Sequence, residues 1–438
     1  MESSRGKAPT AQETFMQMAQ ASGLRGRLLI TIGILILVRL GIFLPLPGID
    51  RTIFTEAVKG NQVISFLDIF SGGGFSTLGI FALGILPYIN ASIIMQLMTA
   101  ALPSLENLQK NEGEAGRRKI SQYTRYVALG WALLQSLGIS IWVQSVGYQG
   151  TPAVVNPGPM FAIECMLALS AGSMFVMWAG ELVTEKGVGN GASLLIFISI
   201  VAGLPRSLGN TIALAQQDSS RVGGVLLLML IFLVMIVGIV FVQEGTRRIP
   251  IISARRQVGR KMFQEQKSYL PLRLNQGGVM PIIFASSVLI VPASIGQFSN
   301  NQVLVQIANF LSPNSWGYVG LYLVLIVGFS FFYSSLVVNP VDLSQNLKKM
   351  GSSIPGIRPG TATSTYISGV LNRLTFLGAI FLGAIAIVPT AIERATGVTT
   401  FSGIGATSLL ILVGVAIETS KQIQTYVISQ RYEGMVKQ

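Results

Sequence analysis

Stretches of roughly 20 consecutive apolar residues recur along this chain, and their number limits the possible fold more than any other feature. A hydrocarbon layer ~30 Å thick takes about 20 apolar residues of helix to cross. Ten such stretches lie between charged or Pro/Gly-rich breaks, at about 28–44, 75–99, 124–144, 160–180, 190–204, 222–243, 279–297, 316–338, 366–389 and 403–424. Only 11% of all residues are charged, against roughly 25% in soluble domains, so these stretches have little polar surface to offer water. The heptads with charged flanks that a long coiled coil needs are absent. The first 24 residues are polar and hold no apolar core ending in a cleavage site, so the first span is expected to be retained and not removed as a signal peptide. The predicted class is an all-α polytopic membrane protein with ten transmembrane helices.

Ten spans put both termini on one side. With the N-terminus inside, 24 of the 31 Lys and Arg residues fall on inside segments, 5 on outside loops, and Arg39 and Arg373 within spans. Cytoplasmic loops are enriched in Lys and Arg, so both termini are predicted to be cytoplasmic.

Two features set the chain apart from a generic bundle. The apolar run from Val63 to Leu102 covers 40 residues, about 60 Å as one helix and twice the membrane thickness. It is broken at Gly72-Gly73-Gly74, with Asp68 and Ser71 just before. A short half-helix at about 62–71 that stops at the glycines, followed by a true span, fits the run. An interfacial helix on the outer surface is the competing reading. Non-helical backbone at membrane depth is tolerated only where protein buries it or it lines a watery cavity.

The second feature is an internal echo. Gly84-Ile-Leu-Pro-Tyr-Ile-Asn-Ala-Ser92 matches Gly278-Val-Met-Pro-Ile-Ile-Phe-Ala-Ser286 at five of nine positions. These are the second spans of two five-span halves. An odd number of spans per half inverts one half relative to the other, and Gly/Pro-marked segments at matching positions point to a functional pathway.

Catalytic chemistry is poorly supplied. The chain has no histidine, which removes His acid–base catalysis, His metal ligands and Ser-His-Asp triads together. A lone Cys165 can form neither an internal disulfide nor a thiolate cage. The Gly187–Gly191 stretch lacks the Lys-Ser/Thr ending of a phosphate-binding loop. Arg39, Glu164, Arg373 and Glu418 are the ionisable residues in spans; snorkelling or interhelical pairing accounts for each, and no midplane relay emerges. No enzyme activity, cofactor or metal site is expected.

The inside loops are different. Residues 244–277 hold Arg247, Arg248, Arg255, Arg256, Arg260, Lys261, Lys267 and Arg273 against two acids, and residues 339–364 hold Lys348, Lys349 and Arg358. Some of these charges act as topological anchors. Eight in one loop project basic charge beyond the interface and suit RNA phosphates or an acidic protein partner.

Several motifs, in their order and spacing, resemble the SecY family of protein-translocation channels over essentially the whole chain. They are Pro45-Leu-Pro-Gly-Ile-Asp50, Phe70-Ser-Gly-Gly73, Gly84-Ile-Leu-Pro-Tyr-Ile89, Gly116-Arg-Arg-Lys-Ile-Ser-Gln-Tyr-Thr-Arg-Tyr126, Gly187-Val-Gly-Asn-Gly191, Asn346-Leu-Lys-Lys349 and Pro355–Gly360. Thr184-Glu-Lys-Gly and the flanking loops have a bacterial, cyanobacterial or plastid-like character.

The resemblance implies two inverted five-helix halves around a central pore, with a short re-entrant plug helix. The halves would be 25–204 and 222–424, hinged at 205–221, with cytoplasmic segments at 1–24, 244–278, 339–364 and 425–438. It maps a pore ring to Ile85, Ile89, Ala192, Ile196, Ile283 and Ile411, with Ala192 smaller than the aliphatic residue usual there. It assigns the plug to 62–71 and its exit, through Phe66, Leu67, Asp68, Ile69, Phe70, Gly72, Gly73 and Gly74. The lateral gate would involve Pro87, Asn90, Asn190, Pro281 and Phe284. Docking of a ribosome or the motor ATPase SecA would use Arg247, Arg248, Arg255, Arg256, Arg260, Lys261, Lys348, Lys349 and Arg358. The implied partners are the small subunits SecE and SecG, SecA, the ribosome, signal-peptide-bearing polypeptides and membrane lipids, in the plasma membrane or, for a cyanobacterial chain, also the thylakoid. The implied function is passage of unfolded secretory polypeptides and lateral release of transmembrane segments. An ion- or solute-coupled secondary transporter with inverted repeats, and a membrane enzyme, are the competing classes.

Overall fold

A computed structural model describes residues 22–59, 62–148, 150–217, 222–253, 257–258, 261–262, 267–298, 303, 306, 310–311, 315–396 and 406–436. The chain forms two compact units. The first comprises residues 1–208, 294–304 and 415–438, and the second comprises residues 209–293 and 305–414.

The first unit opens with α1 (Ser22–Gly41), α2 (Arg51–Val58) and α3 (Gln62–Ser71). Asp50 caps α2, accepting from the amides of Thr52 (2.9 Å) and Ile53 (3.3 Å). The Thr52 hydroxyl adds a further bond, and together these hold the Asp50 carboxyl below its ordinary pKa. Then come α4 (Leu86–Ala101), α5 (Pro103–Asn111), α6 (Gly113–Gln144), α7 (Pro159–Lys186) and α8 (Gly191–Gln217). Proline stands in the first turn of α4, α5 and α7, where its missing N–H costs no helical bond. A small β-hairpin, β1 (Gly147–Tyr148) with β2 (Thr151–Pro152), joins α6 to α7.

Small residues let these helices approach. Ala128, Ala132, Ser136 and Ser140 recur every four residues on one buried stripe of α6, and Ser136 and Ser170 share a buried hydrogen bond of 2.8 Å between α6 and α7. Such small and hydroxylated stripes are how membrane helices pack, since lipid provides no hydrophobic drive between them.

In the second unit, α9 (Val222–Glu244) and α11 (Trp316–Val337) pack on α13 (Thr361–Thr396). Thr375 donates to Ser334 at 2.9 Å across the α11–α13 contact. Leu226, Leu230, Leu233, Val237 and Phe241 on α9 are all more than half exposed. Their three- and four-residue spacing makes one apolar face suited to lipid. The unit also holds most of α10 (Met280–Phe298), as far as Ala293, and the start of α14 (Ala406–Val436).

Between α9 and α10 the chain forms β3 (Thr246–Ser253), β4 (Gln257–Val258), β5 (Lys261–Met262) and β6 (Lys267–Arg273). After α12 (Pro340–Lys349), β7 (Ser352–Ser353) completes a three-stranded sheet in the order β6-β3-β7.

Among the described residues, six helical stretches are each long and apolar enough to cross a membrane: Gly113–Gln144, Pro159–Lys186, Gly191–Gln216, Val222–Glu244, Trp316–Lys349 and Thr361–Pro389. A seventh is the pair Leu86–Ala101 and Pro103–Gln109, bent by 104°. α1, which carries Arg25, Arg27 and Arg39, α10 and α14 occupy the other three predicted stretches.

Two spans differ from expectation. α8 continues past 204 through Pro205 to Gln217, so most of the 205–221 segment is helical. The hydropathy predicts one helix over 75–99, but α4 begins only at Leu86, and residues 72–85 run as turns. Phe75, Leu78, Phe81, Ala82, Leu83 and Ile85 are all buried there, so irregular backbone is shielded from lipid as it must be. The Ile80 amide donates to Leu44 O at 3.0 Å, and Pro45 bridges to Gly79. Main-chain partners from the segment after α1 thus replace some of the helical ones.

Candidate pore seal and basic platform

The half-helix α3 spans Gln62–Ser71 and stops where Gly72 (φ +66°) and Gly73 (φ +89°) enter the left-handed region, which glycine adopts without steric cost. Asp68 organises the exit. Its carboxylate accepts from the amides of Phe75 (3.0 Å) and Ser76 (2.8 Å) and from the Ser71 hydroxyl (3.3 Å). Its backbone carbonyl accepts from the Gly72 amide at 2.7 Å. Leu67 and Phe70 are buried; the side chains of Phe66 and Ile69 lie outside the described residues. From α1, Arg39 donates through Nη1 to Gly72 O at 2.5 Å, and its guanidinium stands 5.9 Å from the centre of the Phe43 ring. Of the four intramembrane ionisable residues, Arg39 thus pairs with another element of the fold. Glu164 and Arg373 are exposed.

The C-terminal end of α3 sits against Ile85, the first of the ring candidates. Phe70, Ser71 and Ile85 line one small cavity with Val38, Ile42 and Leu195 among its other walls. Gly84 is what permits the approach: a Cβ there would stand 3.3 Å from Phe70 O and 3.4 Å from Ser71 Cα. Ile85 and Ala192 also converge over Gly180, whose Cβ would lie 3.3 Å from Ile85 Cδ1 and 3.6 Å from Ala192 N. Ile85, Ile89 and Ile196 are buried in the first unit; Ile283 on α10 and Ile411 on α14 are buried in the second. Ala192 is half-buried at the start of α8.

The sequence echo is also a conformational one. Gly84 has φ +54° and Gly278 φ +59°. In each case a helix starts two residues later with proline at its second position, α4 at Leu86-Pro87 and α10 at Met280-Pro281. The first turns carry matching bonds, Ile89 N to Ile85 O (3.1 Å) and Ile283 N to Val279 O (3.3 Å). Of the remaining gate candidates, Asn90 is half-buried on α4. Phe284 is buried edge-on to Phe329 (5.8 Å) and Tyr333 (6.0 Å). Asn190 has a local role: its Oδ1 accepts from Ser193 N at 3.3 Å in the first turn of α8.

The two basic loops form one platform. β3 pairs with β6 from Thr246↔Arg273 to Ile252↔Lys267, and with β7 at Ile252↔Ser353 and Ser253↔Ser352. One face buries Ile249, Ile251 and Leu272 with Leu347, Ile354, Ile367, Val370 and Leu371. The other leaves Arg248, Tyr269 and Arg273 exposed. Arg247, Lys348, Lys349 and Arg358 are exposed as well. The turn bearing Arg358 is pinned by Ser344 Oγ to Gly360 O (2.6 Å) and Thr363 Oγ1 to Arg358 O (2.8 Å). Lys261 lies in β5 with its side chain outside the described residues, as are Arg255, Arg256 and Arg260 altogether. In the sequence the two loops are separate charged segments. The alternation of Ile249 and Ile251, and of Leu270, Leu272 and Leu274, was the available strand signal, and with it Tyr269 and Arg273 join the basic face. Among the described residues, no group of three or more metal-ligating side chains comes together.

The comparisons with known proteins agree on one family. The SecY family model matches residues 79–420. The chain is 70% identical to "Protein translocase subunit SecY" of Synechococcus elongatus over 442 aligned residues, covering 99% of each chain. A solved SecY structure, described as one whose plug domain stabilises the closed channel and maintains a membrane seal, matches with a TM-score of 0.62 at 14% identity over 92% of each chain. Sec61 in a canine ribosome–channel complex matches with a TM-score of 0.61, also at 14% identity over 92% of each chain. This multi-pass membrane protein belongs to the SecY family and is a protein-conducting channel subunit.

Proposed function

We propose that this chain passes unfolded secretory polypeptides across the plasma membrane, and in a cyanobacterial cell also the thylakoid membrane, and releases transmembrane segments sideways into lipid. The halves 25–204 and 222–424, joined at 205–221, frame the path, with both termini in the cytoplasm as the 24-to-5 charge distribution favours. Closure rests on Ile85, Ile89, Ala192, Ile196, Ile283 and Ile411 as an apolar constriction, with α3 as the plug beside it. A ring of branched apolar side chains stops ions by dewetting and yields to a passing chain. The observation that supports this reading is the cavity that Ile85 shares with Phe70 and Ser71, the contact that a plug seated beside the ring requires. Pro87, Asn90, Asn190, Pro281 and Phe284 belong to the lateral gate, where the two glycine–proline helix starts give each half a fixed point.

The chain carries out no catalysis of its own in this reading; SecA or the ribosome supplies the drive, docking on the platform of Arg247, Arg248, Lys348, Lys349 and Arg358 with Arg255, Arg256, Arg260 and Lys261. The ribosome complex of the Sec61 relative supports the ribosome as a partner. SecE and SecG are the expected membrane partners. Reconstitution of the chain with these subunits and SecA into vesicles tests the proposal. ATP-dependent protection of a signal-peptide-bearing precursor from external protease is expected; coupled flux of a small solute with no precursor protection would overturn it.

A further inference from the structure

The exit of α3 is held by two charged residues that act on different things. Asp68 bonds within its own segment: its partners Ser71, Gly72, Phe75 and Ser76 lie within eight residues of it. Thr77 Oγ1 to Gly73 O (3.0 Å) adds to the same closed set. These bonds travel with the segment wherever it goes. Arg39 differs. It reaches from α1, 33 residues earlier, to the Gly72 carbonyl, while the Phe43 ring, in the turn just after α1, backs its guanidinium. Thr55 Oγ1 to Ser76 O, at 3.3 Å, is a second tie from outside, but neutral and longer. Gly72 is fitted to this contact, because a Cβ there would stand 2.4 Å from Arg39 Nη1 and 3.1 Å from Ser199 Cβ. A side chain at 72 would evict the guanidinium.

We propose that Arg39 is the latch that holds the α3 exit in its seat, whereas Asp68 fixes only the shape of that exit. The proposal deepens the plug reading and rests on it for its consequence, ion sealing. A charged donor is suited to the task. Its bond to a carbonyl is stronger than a neutral one, yet a long arginine near the end of α1 can turn its head toward the interface when released. Opening then exchanges one strong bond for hydration instead of leaving a buried charge.

The test places cysteines at Ser71 and Ser199, which line the same cavity, in a chain with Cys165 replaced by Ala, and follows their disulfide cross-linking in membranes. Arg39→Met, which removes the donor but keeps the stem, should lower the cross-linking rate by roughly tenfold or more, the size of a lost charged hydrogen bond. Arg39→Lys should recover part of it, which also separates latch loss from misfolding. Asp68→Ala should speed amide exchange at Phe75 and Ser76 and leave cross-linking within about twofold of the parent. Ion leak measured on the same Arg39→Met protein separates the two claims. A cross-link that falls without added leak keeps the latch and refutes α3 as a seal. Unchanged cross-linking in Arg39→Met, or a loss in Asp68→Ala equal to that in Arg39→Met, overturns the latch.

Discussion

Adding one methyl group at Gly172 would drive it into a backbone carbonyl. A Cβ on this α7 residue would stand 2.1 Å from Ile80 O and 2.9 Å from both Ile80 C and Cγ2. The carbonyl has no rotamer to change, so the turn segment 72–85 must retreat from α7 by about 1 Å to restore ordinary contact. Overpacking of this kind costs about 1–3 kcal/mol. Alanine also gains roughly 1 kcal/mol over glycine in a helix interior, which would mask part of the loss. A control removes that gain: Gly130 on α6 has nothing within 4 Å of its would-be Cβ, so Gly130→Ala keeps the propensity gain without the clash. The two variants should therefore differ by about 1–3 kcal/mol, the overpacking cost alone. Thermal midpoints of the purified proteins in one detergent, read by intrinsic fluorescence, give the comparison. Gly172→Ala should melt below the parent, or near it if the helical gain offsets the smaller end of the cost, and Gly130→Ala at or above it. Equal midpoints for the two variants would show that α7 and the 72–85 segment do not pack as described.

Gly84→Ala and Gly278→Ala both force a left-handed residue to carry a Cβ, at about 1–2 kcal/mol, but only Gly84 also faces the α3 backbone. Gly84→Ala should therefore melt lower than Gly278→Ala, and the reverse order would contradict the seat described for α3. Charge reversal at Arg248, Arg273 and Arg358 should weaken ribosome binding at low salt while leaving the thermal midpoint unchanged. The difference should shrink as added salt screens the exposed charges; normal binding of the triple variant at low salt would reduce these arginines to topological anchors.

Much of this architecture was legible because lipid leaves the backbone few options. A long uncharged stretch must satisfy its amides internally, so hydropathy predicts helices, as with α6, α7, α9, α11 and α13. The break of α3 was legible for a related reason, since three successive glycines have little helical preference. The 72–85 turns were not. Hydropathy reports burial, and Phe75, Leu78 and Leu83 are as buried in coil as they would be in a helix. The partners that satisfy this coil, at Leu44 and Pro45, are distant in sequence. The platform was hidden by its own charge: Arg247 and Arg248 mark β3 as a basic loop, and the inward alternation of Ile249 and Ile251 is short. Arg39 was visible as an intramembrane charge, but its target is a main-chain carbonyl, for which no sequence pattern exists.

In the proposed function, branched side chains from both halves close one path. The most direct measurement of this closure is the ion conductance of a purified Ile85→Ser, Ile283→Ser double variant in planar bilayers, alongside the parent protein. Two hydroxyls in a dewetted constriction should hold water there and raise the resting conductance, while precursor transport persists. A double variant that folds, inserts and conducts no more than the parent would contradict the ring, and with it the seal.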